Sequence, residues 1–360
     1  MSPGRGAVLR LVARAAVQAA WVAPVLGAAV LAGTCIGETA IPVRTVLQTL
    51  ANELLGAAHA LDRIDRGIVW NYRLPRAVIA ACCGAGLAMA GVVLQALLRN
   101  TLADPYLLGI SAGASTGAVL VAVAGVGAGL GADLGAGAVS LSAGALAGSL
   151  LAFGLVALLA RLAGGGAGTR ATGQIVLAGV AGSQLFNALT AFVIARSASA
   201  EQARGITFWL LGNLSGARWD NVRLAAPVAL LSVLVALWHA RALDAFTFGA
   251  ESAASLGIPV RRLQAVLILL AALATATMVS IVGTIGFVGL VVPHAARLLV
   301  GPRHARLVPV AALIGAVFMI AADVVSRTLV PGQVLPIGVV TALVGAPVFA
   351  AILIRGRPVR

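Results

Sequence analysis

The chain has no lysine: all 25 of its basic residues are arginine. A phosphate-binding loop of the G-x-x-x-x-G-K-[ST] type therefore cannot be built, nor can a lysine Schiff base or a lysine general base. Any use of ATP falls to another polypeptide. Gly109-Ile-Ser111-Ala-Gly113 has the G-x-S-x-G spacing of a hydrolase nucleophile, but that motif needs a strand–turn–helix setting. Here it sits in an apolar helical stretch, where Gly109, Ser111, Gly113 and Ala114 read as a small-residue face for close helix packing. None of the four histidines, His59, His239, His294 and His304, lies at ligand spacing from another His or Cys, so no metal site is expected. Cys35, Cys82 and Cys83 fall in or beside apolar runs and read as small buried hydrophobes.

The remaining chemistry belongs to charge. Asp323 and Arg327, four residues apart, read equally as an intrahelical ion pair and as a cation facing an outer opening. Arg73 and Arg76 flank Leu74-Pro75, three apart, where a carboxylate could be met bidentately. The segment Leu243 to Arg262 is too polar to span a membrane and holds a helix-like piece, Ala250 to Leu256, ended by Gly257 and Pro259. Such a piece either lies on a bilayer or plugs into a soluble partner.

These residues must be carried on membrane helices. Mean hydropathy is +1.04 and only 10% of the 360 residues are charged, against about 25% in soluble domains. Aromatics at 4% argue against a β-barrel with aromatic girdles. Uncharged windows of about 20 residues, the length of one crossing, predict ten spans. They lie between Arg14 and Glu38, Arg76 and Arg99, Asp104 and Asp133, Asp133 and Arg161, Arg170 and Arg196, and Arg223 and Arg241. Arg262 to Arg297 encloses 34 uncharged residues, read as two spans joined by a glycine turn at Gly283, Gly286 and Gly289. Arg306 to Asp323 and Leu335 to Ile354 complete the set. Gly205 to Ala217 is too short to cross and reads as a re-entrant or interfacial piece.

Alternating the loops puts 15 arginines with the termini and 10 on the other face, which predicts cytoplasmic termini. The outer loop from Glu38 to Arg76 would hold a surface helix over Ile41 to Leu55, and the glycine-rich stretches Gly125 to Gly137 and Gly164 to Gly168 read as connectors. Arg5, Arg10, Arg14, Arg355, Arg357 and Arg360 read as lipid anchors, not a nucleic-acid patch. One transmembrane domain over residues 1–360 is expected.

Six segments in order resemble the FecCD-type permeases of ABC importers for iron complexes and cobalamin. They are RLPR (Arg73 to Arg76), GVVLQALLRNTLADPYLLGISAGA (Gly91 to Ala114), WLLGNLSGARW (Trp209 to Trp219), FGAESAASLGIPVRR (Phe248 to Arg262), GTIGFVGLVVPHAARLLVG (Gly283 to Gly301) and LPIGVVTALVGAPVF (Leu335 to Phe349). Thr101 departs from the proline usual in the family's N-P-L-A-[DE]-P loop.

The resemblance implies an all-α fold of ten transmembrane helices, the type II importer permease fold, in a bacterial cytoplasmic membrane. It implies a homodimer that binds two ATPase subunits, which hold the ATP and Mg, and a solute-binding protein outside. This chain would carry no cofactor and no catalytic residue. By the same resemblance, Arg73, Arg76 and Arg327 match outer arginines that receive acidic residues of the binding protein. Gly249, Glu251, Ser252, Ala253, Leu256 and Gly257 fall on the coupling helix that enters the ATPase. Asn100 and Leu102 match an inner gate, with Thr172 and Gly173 near a second one. Helices five and ten, with the Phe208-Trp209 region, would line or cap the pathway. The cargo implied is a ferric siderophore or haem, or alternatively cobalamin; an ion-coupled secondary transporter is less favoured, since Asp323 is the one acid well inside a span.

Overall fold

The computed structural model describes residues 21–127, 137–163, 169–197 and 199–355. Arg5, Arg10, Arg14, Arg357 and Arg360, and most of both glycine-rich connectors, lie outside them. Among the described residues the fold is helical, with one isolated bridge between Val330 and Gln333. Six helical stretches are long and apolar enough to cross a membrane: Arg63–Leu97, Leu141–Leu162, Gly173–Arg196, Trp219–Trp238, Val260–Val282 and His304–Thr328. Four shorter apolar helices, Trp21–Cys35, Ile110–Val123, Val288–Val300 and Ile337–Ala351, fall on the other four expected spans.

In chain order the helices are α1 (Trp21–Cys35), α2 (Val43–Leu55), α3 (Arg63–Ile68), α4 (Leu74–Leu97) and α5 (Ile110–Gly127). Then come α6 (Gly137–Leu162), α7 (Thr169–Ser197), α8 (Ala200–Leu210), α9 (Trp219–Trp238) and α10 (Ala240–Phe246). The last five are α11 (Ala250–Ser255), α12 (Val260–Val282), α13 (Val288–Val300), α14 (His304–Thr328) and α15 (Ile337–Arg355).

Helix α4 is the axis of the molecule, buried along almost its whole length. Lipid tails are as apolar as leucine, so packing rather than hydrophobic burial must hold such helices together, and small residues permit the approach. A Cβ on Gly84 would lie 1.9 Å from the Gly315 carbonyl of α14, and one on Gly91 equally close to the Gly289 carbonyl of α13. Those two contacts fix α4 between its neighbours. The Gly109–Ala114 face behaves as expected: Gly113 lies against the backbone of Gly148 in α6, and Ser149 donates to the Ile110 carbonyl.

Three boundaries differ from expectation. Arg73 and Arg76 do not end a loop; they lie inside a continuous helix, Arg63–Leu97, interrupted by a π-helical turn over Val69–Arg73. Pro75 has no N–H for the carbonyl of Asn71, and its ring would crowd that carbonyl in a regular helix. Widening the turn, so that the Leu74 N–H bonds to Val69, accommodates the proline without ending the helix. The short apolar piece starts five residues earlier than expected, as α8, because Ser199 and Gln202 form a capping box that draws Glu201 and Arg204 into the helix. Residues 211–218 are not helical beyond it. The surface helix α2 begins at Val43 after Pro42.

Candidate functional site

Two polar regions stand at opposite ends of α4. At the end carrying α2 and α3, the three expected arginines meet. The Arg73 guanidinium donates to the carbonyls of Thr34 (3.3 Å) and Cys35 (3.1 Å) and to the Thr39 hydroxyl (2.9 Å). Arg327 donates to the Gly33 carbonyl at 3.0 Å. Both cations thus sit on the unsatisfied carbonyls at the negative end of α1. Gly37 turns the chain between them, and a Cβ there would lie 3.0 Å from each guanidinium group. Asp323, 1% exposed, accepts from Arg76 at 2.7 Å and from Arg327 at 3.0 Å; Arg76 also donates to the Ser215 hydroxyl at 3.2 Å.

The intrahelical pair read from the i, i+4 spacing is therefore present, and Arg76 joins it across 247 residues. Arg73 and Arg327 are each 8% exposed and spend their donors inside the protein. Open cations on this end include Arg44, Arg63, Arg66, Arg218 and Arg223, of which Arg66 pairs with Glu53 at 2.6 Å and Arg223 with Asp220 at 3.0 Å. Sequence reasoning missed Arg44 and Arg63, which lie in no motif, and Arg218, which lies in the segment Trp209 to Trp219 but was given no role there.

At the other end, the loop 98–109 carries Asn100 and Leu102, both exposed. Asn100 Oδ1 accepts from the Leu102 N–H at 2.9 Å, which sets the turn. Asp104 caps the 3-10 turn Pro105–Leu108 through the Tyr106 N–H at 2.8 Å; burial pushes its carboxyl up and that N–H pulls it down. Gly173 lies exposed near the start of α7, while the side chain of Thr172 is outside the described set.

Beyond this loop, α10 and α11 project from the same end. Gly249 (φ 114°) starts α11 and Gly257 (φ 79°) follows it, both in backbone that favours glycine. Ala253 is buried, anchoring the helix, while Glu251, Ser252, Leu256 and Phe248 stand exposed. Asp244 of α10 accepts from both the backbone N–H and the ring Nδ1 of His304, at 2.9 and 2.7 Å, tying this projection to the first turn of α14. The short helix is thus braced from behind and presents exposed apolar Phe248 and Leu256 beside Glu251 and Ser252.

Among the described residues, ten apolar helices with glycine-mediated crossings and a braced projecting helix make a membrane bundle. The family model described as "FecCD transport family" matches residues 25–355. The chain belongs to that family. It is 36% identical to a cobalamin import system permease protein, BtuC, of Halobacterium salinarum, over 97% of this chain and 98% of the relative. It is 34% identical to a hemin transport system permease protein, HmuU, of Yersinia pestis, over 90% and 91%. A solved metal-chelate type ABC transporter in an inward-facing conformation superposes with a TM-score of 0.77 at 28% identity, covering 93% of this chain and 97% of that one. The fold expected for this FecCD chain, an all-α multi-pass importer permease, is the one found.

Proposed function

We propose that this chain is the permease of an ATP-driven importer that brings an iron complex, a ferric siderophore or haem, into the cytoplasm. The observation that carries the reading is the family match over residues 25–355 in a chain without lysine, which leaves hydrolysis to a partner. The reading is of a homodimer in a bacterial cytoplasmic membrane, with both termini and the α10–α11 projection cytoplasmic, on the arginine-rich side. Two ATP-binding subunits, holding ATP and Mg, receive Glu251 and Ser252 of α11 and Leu256 just after it. A solute-binding protein docks on the opposite end.

There, Arg73, Arg76 and Arg327 act as the frame: they lock α1, α4 and α14 together, and the exposed arginines around them supply the charge an acidic partner meets. Asn100 and Leu102, with Thr172 and Gly173, form the cytoplasmic gate. Cobalamin is the second reading, supported by the H. salinarum relative that covers 97% of the chain. Identities of 36% and 34% to permeases named for different cargoes do not separate the two. Co-expression with the ATPase and binding protein, followed by uptake of ferric siderophore, haem and cobalamin into proteoliposomes, tests the reading. ATP-dependent uptake of the first or second supports it; failure of the ATPase to co-purify, or uptake of none of them, refutes it.

A further inference from the structure

Tyr106 is half-buried in the loop 98–109, and its hydroxyl does two things at once. It donates to the Ile285 carbonyl and accepts from the Ile285 N–H, each at 2.7 Å. A phenol has one proton to give and lone pairs to receive, so both main-chain groups of Ile285 are satisfied by this one side chain. Ile285 lies in the turn 283–287 between α12 and α13, where Gly283 and Phe287 both have positive φ, at 82° and 69°. A phenylalanine in left-handed backbone is costly and must be held by its surroundings.

The holding bonds all come from chain junctions. The Val282 carbonyl accepts from Asn213 N–H at 2.7 Å, and the Thr284 hydroxyl donates to the Leu210 carbonyl. Gly212 and Leu211 carbonyls in turn accept from Ile337 and Gly338 at the start of α15, at 2.9 and 3.0 Å. Non-helical backbone from three junctions is thus knotted together, and Tyr106 ties the loop to that knot. The loop's other anchors are packing contacts: Pro105 against Gly289, and the Leu107 carbonyl against Gly179 of α7.

We propose that Tyr106 is a positioning residue of the gate. Its phenol latches the loop 98–109 to the α12–α13 turn, and through it to α8 and α15, so that the gate opens only as those elements move. The proposal rests on the reading of Asn100 and Leu102 as the cytoplasmic gate. Tyr106→Phe removes both bonds and almost no volume, leaving Ile285 unpartnered in the latched state only. Losing one net buried hydrogen bond moves such an equilibrium about tenfold toward the unlatched state.

The test uses the assembled importer in lipid, without nucleotide, in a chain whose Cys35, Cys82 and Cys83 are replaced by alanine. Spin labels on Leu102→Cys of the two copies report gate separation by pulsed electron resonance, and labels on Ser252→Cys report α11. Tyr106→Phe should raise the population of the longer Leu102 separation about tenfold and leave the Ser252 distances unchanged. It should also raise the ATP hydrolysed per substrate carried. Thr284→Val, which loosens the same turn from the α8 side, should do likewise and decides the matter if Tyr106→Phe does not fold. Unchanged Leu102 distances in the folded variants, or equal broadening at both label sites, overturn the latch. A wild-type complex that transports nothing refutes the importer reading instead, so the two failures are distinct.

Discussion

Asp323 is the one acid that two arginines share, and Asp323→Asn keeps its shape while removing its charge. In the wild type its side chain is 2% exposed, against 12% for Arg76 and 8% for Arg327. Screening by water is therefore small, and the substitution strands two cations rather than weakening a surface pair. Breaking a buried pair by removing one partner costs about 3–5 kcal/mol. Because Arg327 also holds the Gly33 carbonyl, the end of α1 loosens with it. At roughly 2 °C per kcal/mol for a large chain, the melting temperature in detergent should fall by about 6–10 °C. Scanning fluorimetry of the purified dimer measures this directly. Adding Arg76→Gln to Asp323→Asn removes one stranded cation and should recover about 1–3 kcal/mol of the loss. A fall of less than about 2 °C, or strictly additive effects of the two changes, would refute the claim that charge pairing holds this end together.

Gly84→Val and Gly91→Val should each abolish monodisperse protein on gel filtration, since a Cβ at either would lie 1.9 Å from a facing carbonyl; Gly27→Val, with nothing within 4 Å, should not. Glu251→Arg on exposed α11 should leave the dimer folded but lose ATPase binding and uptake, measured by co-purification and proteoliposome transport. Arg44→Glu with Arg63→Glu, both exposed, should weaken association with the binding protein at low salt several-fold and flatten its salt dependence, as read by surface plasmon resonance. The same reversal should leave the melting temperature within about 1 °C, because surface changes remote from buried features cost little.

The spans were legible because charge is expensive in hydrocarbon, so uncharged windows mark them without any tertiary information. The projecting helix α11 was legible for the same local reason: glycine and proline punctuate it. The Ser199–Gln202 capping box was also open to reading, since Ser followed three residues later by Gln is a local helix-start signal. Pro75 reads as a helix start, which puts Arg73 and Arg76 in a loop, whereas a π-turn lets the chain pass it. The Asp323–Arg327 pair could be seen from spacing, but not Arg76 completing it or α1 receiving Arg73 and Arg327. Those partners are main-chain carbonyls or residues hundreds of positions away. Tyr106 was invisible for that reason too, its partner being the backbone of Ile285.

The π-turn over Val69–Arg73 also acts as a phase shifter. An α-helix turns by 100° per residue, so one residue accommodated in a widened turn rotates everything before it by about that angle relative to everything after. The side chains of α3 are thereby set on a different compass bearing from those of α4, although the backbone is one continuous rod. Deleting one residue from 69–72 together with Pro75→Ala, which supplies the missing N–H, would restore a regular helix and swing Arg63 and Arg66 about a quarter turn around the axis, away from Glu53. The aim of one end of the molecule is thus adjustable by a one-residue change in length, independently of the packing that holds the bundle.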